Sequence, residues 1–180
     1  MKLALLALLA LLLLAGALLW ARASQANDVP QPGQPAPGFD LPDQSGSQHR
    51  LETYKGRWVV LYFYPKDDTP GCTQEACQFR DDLHKLTALG AQVIGVSVDD
   101  TASHADFAKK YHLPFPLLAD KDGKVAALYG ALRNWGLVRF AKRHTFLIDP
   151  QGKIAKAYLK VDTSRHSQEI IDDLAGLKGQ

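Results

Sequence analysis

WVVLYFYPKDDTPGCTQEACQFRD, residues 58–81, holds a strand, a loop and the start of a helix in succession. Its first seven residues form an unbroken β-branched and aromatic run, too short for a helix and suited to burial on both faces. That predicts a central strand over residues 58–64. In the loop that follows, Thr69-Pro70 has the pattern of an N-cap and a proline in the first helical position. Helical periodicity then extends over residues 72–88. A second strand-like run, QVIGVSV, occupies residues 92–98, so this strand–helix–strand alternation implies parallel neighbours joined by a crossover helix. Shorter apolar runs at residues 115–118 and 145–148 add two strands. The turn Asp149-Pro150-Gln151-Gly152 leads into residues 153–161, where Ala155, Ala157, Leu159 and Val161 alternate with mostly polar side chains, as in a hairpin. With further helical periodicity at residues 102–111 and 164–177, the pattern predicts an α/β thioredoxin-like sandwich, a central mixed β-sheet flanked by helices.

Composition divides the chain outside this core. Of the 180 residues 46% are apolar, and residues 1–23 are far richer than the rest. Lys2 followed by an uncharged Leu/Ala run at residues 3–21 and by Ala21-Arg22-Ala23 reads as an export signal. The run is near the minimum length of a membrane-spanning helix, so a cleaved signal peptide and an N-terminal membrane anchor both remain open. Either places the protein outside the cytoplasm, in the periplasm, free or tethered to the inner membrane. Residues 24–38, with Pro30, Pro32, Pro35 and Pro37 among polar residues, read as an extended tether, leaving residues 39–180 as one domain. The net charge of +2 is accounted for by Lys2 and Arg22, and a neutral domain without a basic run argues against nucleic-acid binding. The six histidines lack His-x-x-x-His spacing, which argues against a metal site.

The two cysteines, Cys72 and Cys77, both fall where the strand gives way to the helix, the usual place for sites in open α/β sheets. In the first helical turn, unpaired N–H groups and the positive end of the dipole favour a thiolate at Cys72, the nucleophilic form. Cys72, Ala76, Phe79, Leu83 and Leu86 share one helical face, while Cys77 lies roughly 140° around the axis and about 7.5 Å along it. An intact helix therefore forbids a disulfide between them, though one could form after the first turn unwinds.

Pro65-x-x-x-Thr69-x-x-Cys72 is similar to the active-site pattern of the peroxiredoxins, and YPKDDTPGCTQEACQFRD resembles the Q-type, or bacterioferritin-comigratory, group. Other similarities are Ala36-Pro37-Gly38-Phe39, Gly95-Val96-Ser97, Arg143 ahead of Thr145-Phe146-Leu147-Ile148-Asp149, and His166, so the resemblance covers residues 33–178. It implies that Cys72 is the peroxidatic cysteine and Cys77 the resolving cysteine, joined in an intramolecular disulfide during turnover. It implies that Arg143 depresses the thiolate pKa and steadies charge on the leaving oxygen, that Thr69 hydrogen-bonds thiolate and peroxide, and that Pro65 shields the site. The N–H groups of Gly71 and Cys72 would form an electrostatic cradle for the substrate. The implied partners are a peroxide substrate and a thioredoxin-like dithiol reductant, with no cofactor, and an intramolecular disulfide makes a monomer the default.

Two other functions compete on the same fold. A thiol-disulfide oxidoreductase would want Cys-x-x-Cys, and a Sco-type copper chaperone Cys-x-x-x-Cys with a distant histidine. Four intervening residues disagree with both. A purely structural tethered module would leave the Pro-Thr-Cys set unexplained. Glu75 reads as a first-turn acid suiting the dipole and Trp135 as packing or pocket rim. Residues 131–142 carry no assigned element, and His144 stands where a small residue is expected.

Overall fold

The computed structural model describes residues 29–136 and 138–179, so the predicted leader lies outside the described residues. In chain order the elements are β1 (Asp40–Pro42), β2 (Gln48–Arg50), a 3-10 turn (Leu51–Tyr54), β3 (Trp58–Phe63), α1 (Pro70–Asp81), α2 (Leu83–Ala88), β4 (Ala91–Ser97) and α3 (Thr101–Tyr111). They continue with β5 (Leu117–Ala119), α4 (Lys124–Leu128), β6 (Leu132–Asn134), β7 (Arg139–Ala141), β8 (His144–Ile148), β9 (Ile154–Tyr158) and α5 (His166–Lys178). The main sheet runs β5-β4-β3-β8-β9, with β3 at its centre, parallel to β4 and antiparallel to β8. This is the predicted thioredoxin-like sandwich.

The pleat of β3 explains its composition. Val60 and Tyr62 enter one core cluster, with Phe79 and Leu86 from α1 and α2, Phe107 from α3 and Ile170 and Leu174 from α5. Val59, Leu61 and Phe63 enter the other, with Val125 of α4, Tyr129 and Phe39. A strand covered on both sides has no solvent face and needs no polar alternation. Gly95 of β4 pairs with Tyr62, and a Cβ there would stand 2.8 Å from the Tyr62 ring and hydroxyl, so glycine lets the tyrosine lie across the neighbouring strand.

The structure differs from the sequence reading in four places. The helical stretch at residues 72–88 breaks at Asp82, whose carboxylate accepts from the Ser167 hydroxyl at 2.6 Å and ties the break to α5. In β9 a bulge between Leu147 and Ile148 shifts the register so that Ile154 and Tyr158 are the buried residues, and Leu159, beyond the end of the strand, is exposed. Residues 29–38 are not a free tether. The Gly33 and Ala36 amides donate to Ile154 O and Gly152 O at 2.8 and 2.9 Å, and the Tyr129 hydroxyl donates to Pro37 O at 2.7 Å, so the packed domain begins before Phe39. The unassigned residues 131–142 form the β6–β7 hairpin, with Trp135 at its exposed tip, 68% accessible, edge-on to Phe140. Trp135 therefore packs on Phe140 at the hairpin tip and lies outside the core.

Phe79 has no exposed surface and sits against Tyr62 and His166. Phe79→Ala is expected to lower the free energy of unfolding by about 3–5 kcal/mol, read as a shift in the denaturant midpoint at constant slope. Trp135→Ala at the exposed tip is expected to stay within about 0.5 kcal/mol.

Candidate active site

The loop between β3 and α1 delivers Cys72 to the third position of the helix. Thr69 holds the N-cap position with extended backbone, φ −90° and ψ 149°, and its carbonyl accepts the first helical bond, from the Thr73 amide at 2.8 Å. Its hydroxyl does not cap the helix; it donates to Lys66 O at 3.0 Å. The proton that the resemblance assigns to the thiolate is thus committed to the loop, and the oxygen is left as an acceptor. Pro70 has no amide proton, so the orphan donors of the first turn are the Gly71 and Cys72 N–H groups, which face no capping side chain. Pro65, half-buried, bends the chain as it leaves β3.

Cys72 is 1% exposed, on the same buried face as Ala76 and Phe79, whereas Cys77 is half-buried; both are free thiols on a continuous helix. Arg143 reaches this face from the short link between β7 and β8. Its Nη2 donates to Cys72 Sγ at 3.2 Å, and its guanidinium lies against Gly71, where an added Cβ would come within 3.3 Å of Nη2. Glycine at position 71 therefore leaves room for the arginine as well as offering its amide.

Glu75 corrects the sequence reading. It is 1% exposed, with Oε2 paired to Arg143 Nη1 and Oε1 lacking any partner among the described residues. It is one helical turn from Cys72, facing the same guanidinium and not the solvent-exposed first turn. Burial pushes its carboxyl up from the ordinary 4.5 to about 7, with Arg143 pulling the other way. Burial opposes the charge on Arg143, but Glu75 and Cys72 together raise its pKa, so the cation persists beside the Cys72 sulfur. The signal that could have exposed this role was the i, i+3 spacing of Cys72 and Glu75, which places both on one helical face.

Two further residues surround the site. His166 is fully buried at the start of α5, its Nε2 2.9 Å from the Thr145 hydroxyl. His144 opens β8 with Nδ1 unpartnered among the described residues, and burial together with Lys142 and Arg133 lowers its pKa to about 4. A neutral imidazole therefore fills the place where a small residue was expected. Among the described residues no group of His, Cys, Asp or Glu has the geometry to hold a metal ion.

A buried thiol, a guanidinium held against it and two free amide donors make a site for attack on a small substrate that develops negative charge. Residues 32–157 match the model of the AhpC/TSA family. The chain belongs to that family. Within it, the relatives are bacterioferritin-comigratory or Q-type peroxiredoxins. The chain is 42% identical over 146 residues to peroxiredoxin Bcp of Bacillus subtilis, covering 79% of this chain and 93% of the relative. It is 47% identical over 133 residues to the chloroplastic peroxiredoxin Q of Oryza sativa subsp. japonica, covering 70% of this chain and 58% of the plant protein. The crystal structure of peroxidoxin BcpB from Mycobacterium tuberculosis superposes with a TM-score of 0.78 at 34% identity, over 82% of this chain and 98% of that one. A structure of the Xanthomonas campestris bacterioferritin comigratory protein, described for its alkyl peroxide reduction activity, superposes with a TM-score of 0.73 at 33% identity, over 77% and 91% of the two chains. In this peroxiredoxin the arginine, Cys72 and the Pro-Thr loop meet at the N-terminal end of α1, and Cys77 follows further along the helix on another face.

The Glu75 carboxyl gives a stability signature. Below about 4.5 both folded and unfolded forms are protonated; between 4.5 and 7 the folded form binds more protons, so its stability falls as pH rises and levels off above 7. Glu75→Gln lacks this titration. The stability of the wild type relative to Glu75→Gln is expected to fall by about 3 kcal/mol across that window, followed by thermal unfolding at each pH. A constant difference would show that Glu75 ionises at its ordinary pH.

Proposed function

We propose that this thiol peroxidase works through Cys72 as the peroxidatic cysteine and Cys77 as the resolving cysteine. The observation that carries the reading is the 3.2 Å contact from Arg143 Nη2 to Cys72 Sγ within the first turn of α1. The Cys72 thiolate attacks the outer oxygen of a hydrogen or alkyl peroxide. The O–O bond breaks, the sulfur is oxidised to sulfenic acid, and the departing hydroxide or alkoxide takes a proton to leave as water or alcohol. Arg143 and the Gly71 and Cys72 amides steady the charge as it moves to the leaving oxygen. Thr69 accepts a hydrogen bond from the peroxide O–H through its free lone pair, and Pro65 keeps bulk water from the thiolate.

Resolution requires the first turn of α1 to unwind. The Cys77 thiol then attacks the Cys72 sulfenic acid, an S–S bond forms and water leaves. A thioredoxin-like dithiol reduces that disulfide to two thiols and is itself oxidised. Closure within one helix requires no second chain, which supports a monomeric enzyme. The apolar run at residues 3–21 supports an exported site of action, in the periplasm or tethered to its inner membrane, and the mass of the mature N-terminus tests this.

Cys72→Ser is expected to abolish peroxide consumption. Cys77→Ser is expected to consume about one equivalent and stall as sulfenic or over-oxidised Cys72, counted by mass spectrometry. Arg143→Met is expected to slow Cys72 oxidation about 100- to 1,000-fold in stopped flow. Peroxide persisting beside unmodified Cys72 in the reduced wild type would overturn the activity. Full turnover by Cys77→Ser with a dithiol donor would remove Cys77 from the mechanism.

A further inference from the structure

The loop that carries Pro65 and Thr69 is held from behind by a buried polar cluster that the reaction above does not use. Asp67 is 6% exposed, and its carboxylate accepts from the Tyr64 hydroxyl at 2.7 Å, the Ser103 hydroxyl at 2.7 Å and His104 Nδ1 at 2.8 Å. The Asp67 amide donates to Asp99 Oδ2 at 2.9 Å, and the Ser97 hydroxyl donates to the same oxygen at 2.7 Å. His104 has no exposed surface, and its Nε2 faces Leu118 O at 3.2 Å. The two ring nitrogens thus tie Asp67 in the loop to the Leu118 carbonyl of β5 through one buried side chain. A buried pair with every partner satisfied is costly to break.

The neighbouring residue is gripped by the same helix. Asp68 has a left-handed φ of 57°, and its carboxylate accepts from Lys110 Nζ at 2.7 and 2.8 Å and from the Tyr111 hydroxyl at 2.6 Å. Beyond the cysteines, Arg80 Nη1 donates to Tyr111 O at 2.7 Å. Helix α3 thus holds the chain on both sides of Cys72 and Cys77, leaving only residues 69–79 between its two grips. Those 11 residues span about 16 Å as a helix and up to about 36 Å extended, so the segment can unwind and bring the sulfurs together with both grips in place.

We propose that Asp67 and His104 are positioning residues that set the balance between the intact first turn, where Cys72 meets Arg143, and the unwound turn, where Cys72 reaches Cys77. The proposal rests on the assignment of the two cysteines above. A firm grip favours attack on peroxide and delays disulfide closure; a loosened one does the reverse. The two half-reactions therefore move in opposite directions, which a general loss of structure does not produce.

The test is rapid-quench alkylation of the full chain after mixing with hydrogen peroxide, counting Cys72 thiol, sulfenic acid, over-oxidised forms and disulfide by mass spectrometry. Asp67→Asn and His104→Asn are expected to slow sulfenic acid formation by about tenfold, to speed disulfide closure, and to lower the over-oxidised fraction at high peroxide. Ser103→Ala removes one bond to the same carboxylate and is expected to shift both steps in the same directions by a smaller factor, so it decides the matter if the buried variants fail to fold. Equal slowing of both steps, or no change in either, would overturn the positioning role. Wild-type Cys72 left unoxidised would instead overturn the cysteine assignment and this proposal with it.

Discussion

A guanidinium set between a carboxylate and a sulfur governs the arrangement of this molecule. Arg143 brings a permanent charge beneath α1, where two successive turns of the helix meet it, Cys72 through Nη2 and Glu75 through Nη1. Such a charge is tolerable only where partners surround it. The partners exist because residues 72 and 75 lie on one helical face, which turns inward because Ala76, Phe79 and, beyond the break, Leu86 pack on β3. The hydrophobic seam and the ionic contact therefore impose the same rotation on the helix. A rotation that exposed Phe79 would also carry the thiol away from the arginine.

Two demands meet in the first turn of that helix. On the proposed mechanism, reaction with peroxide needs Cys72 held against Arg143 in a site nearly closed to water, and disulfide formation needs the same residue to leave it, because Cys77 faces another way. The surrounding structure divides these demands by position. The loop before the helix is anchored through Asp67 and Asp68, and the helix beyond the cysteines through Arg80, while the turn between has only Pro70 and a side chain that does not cap. An N-terminus without its side-chain cap gives up roughly 1 kcal/mol of helix stability. The weak part of the helix is thus the part that the proposed disulfide step unwinds.

Much of the fold is legible in the chain itself, because a strand buried on both faces announces itself as an unbroken apolar run. WVVLYFY and QVIGVSV fall on β3 and β4, and the face shared by Cys72, Ala76 and Phe79 is buried as spacing alone requires. The short elements are not legible. The β6–β7 hairpin has three residues per strand and an exposed tryptophan at its tip, so no periodicity accumulates, and the docking of residues 29–38 depends on backbone bonds that composition does not record. Glu75 escapes a correct reading for a related reason. An acidic residue near a helix start fits the dipole so well that its burial cannot be read without its distant cation.

What the sequence alone determined is local: a strand–loop–helix unit with a cysteine in the first turn and a second cysteine turned away from it, both set by the 3.6-residue period. The tertiary structure alone decided which charge meets that thiol and what restrains the loop. Arg143 lies 71 residues beyond Cys72 and His104 37 residues beyond Asp67, and each contact exists because the central sheet brings β8 and α3 to the same end of α1. Periodicity reports on neighbours along the chain, whereas buried charges are matched across it.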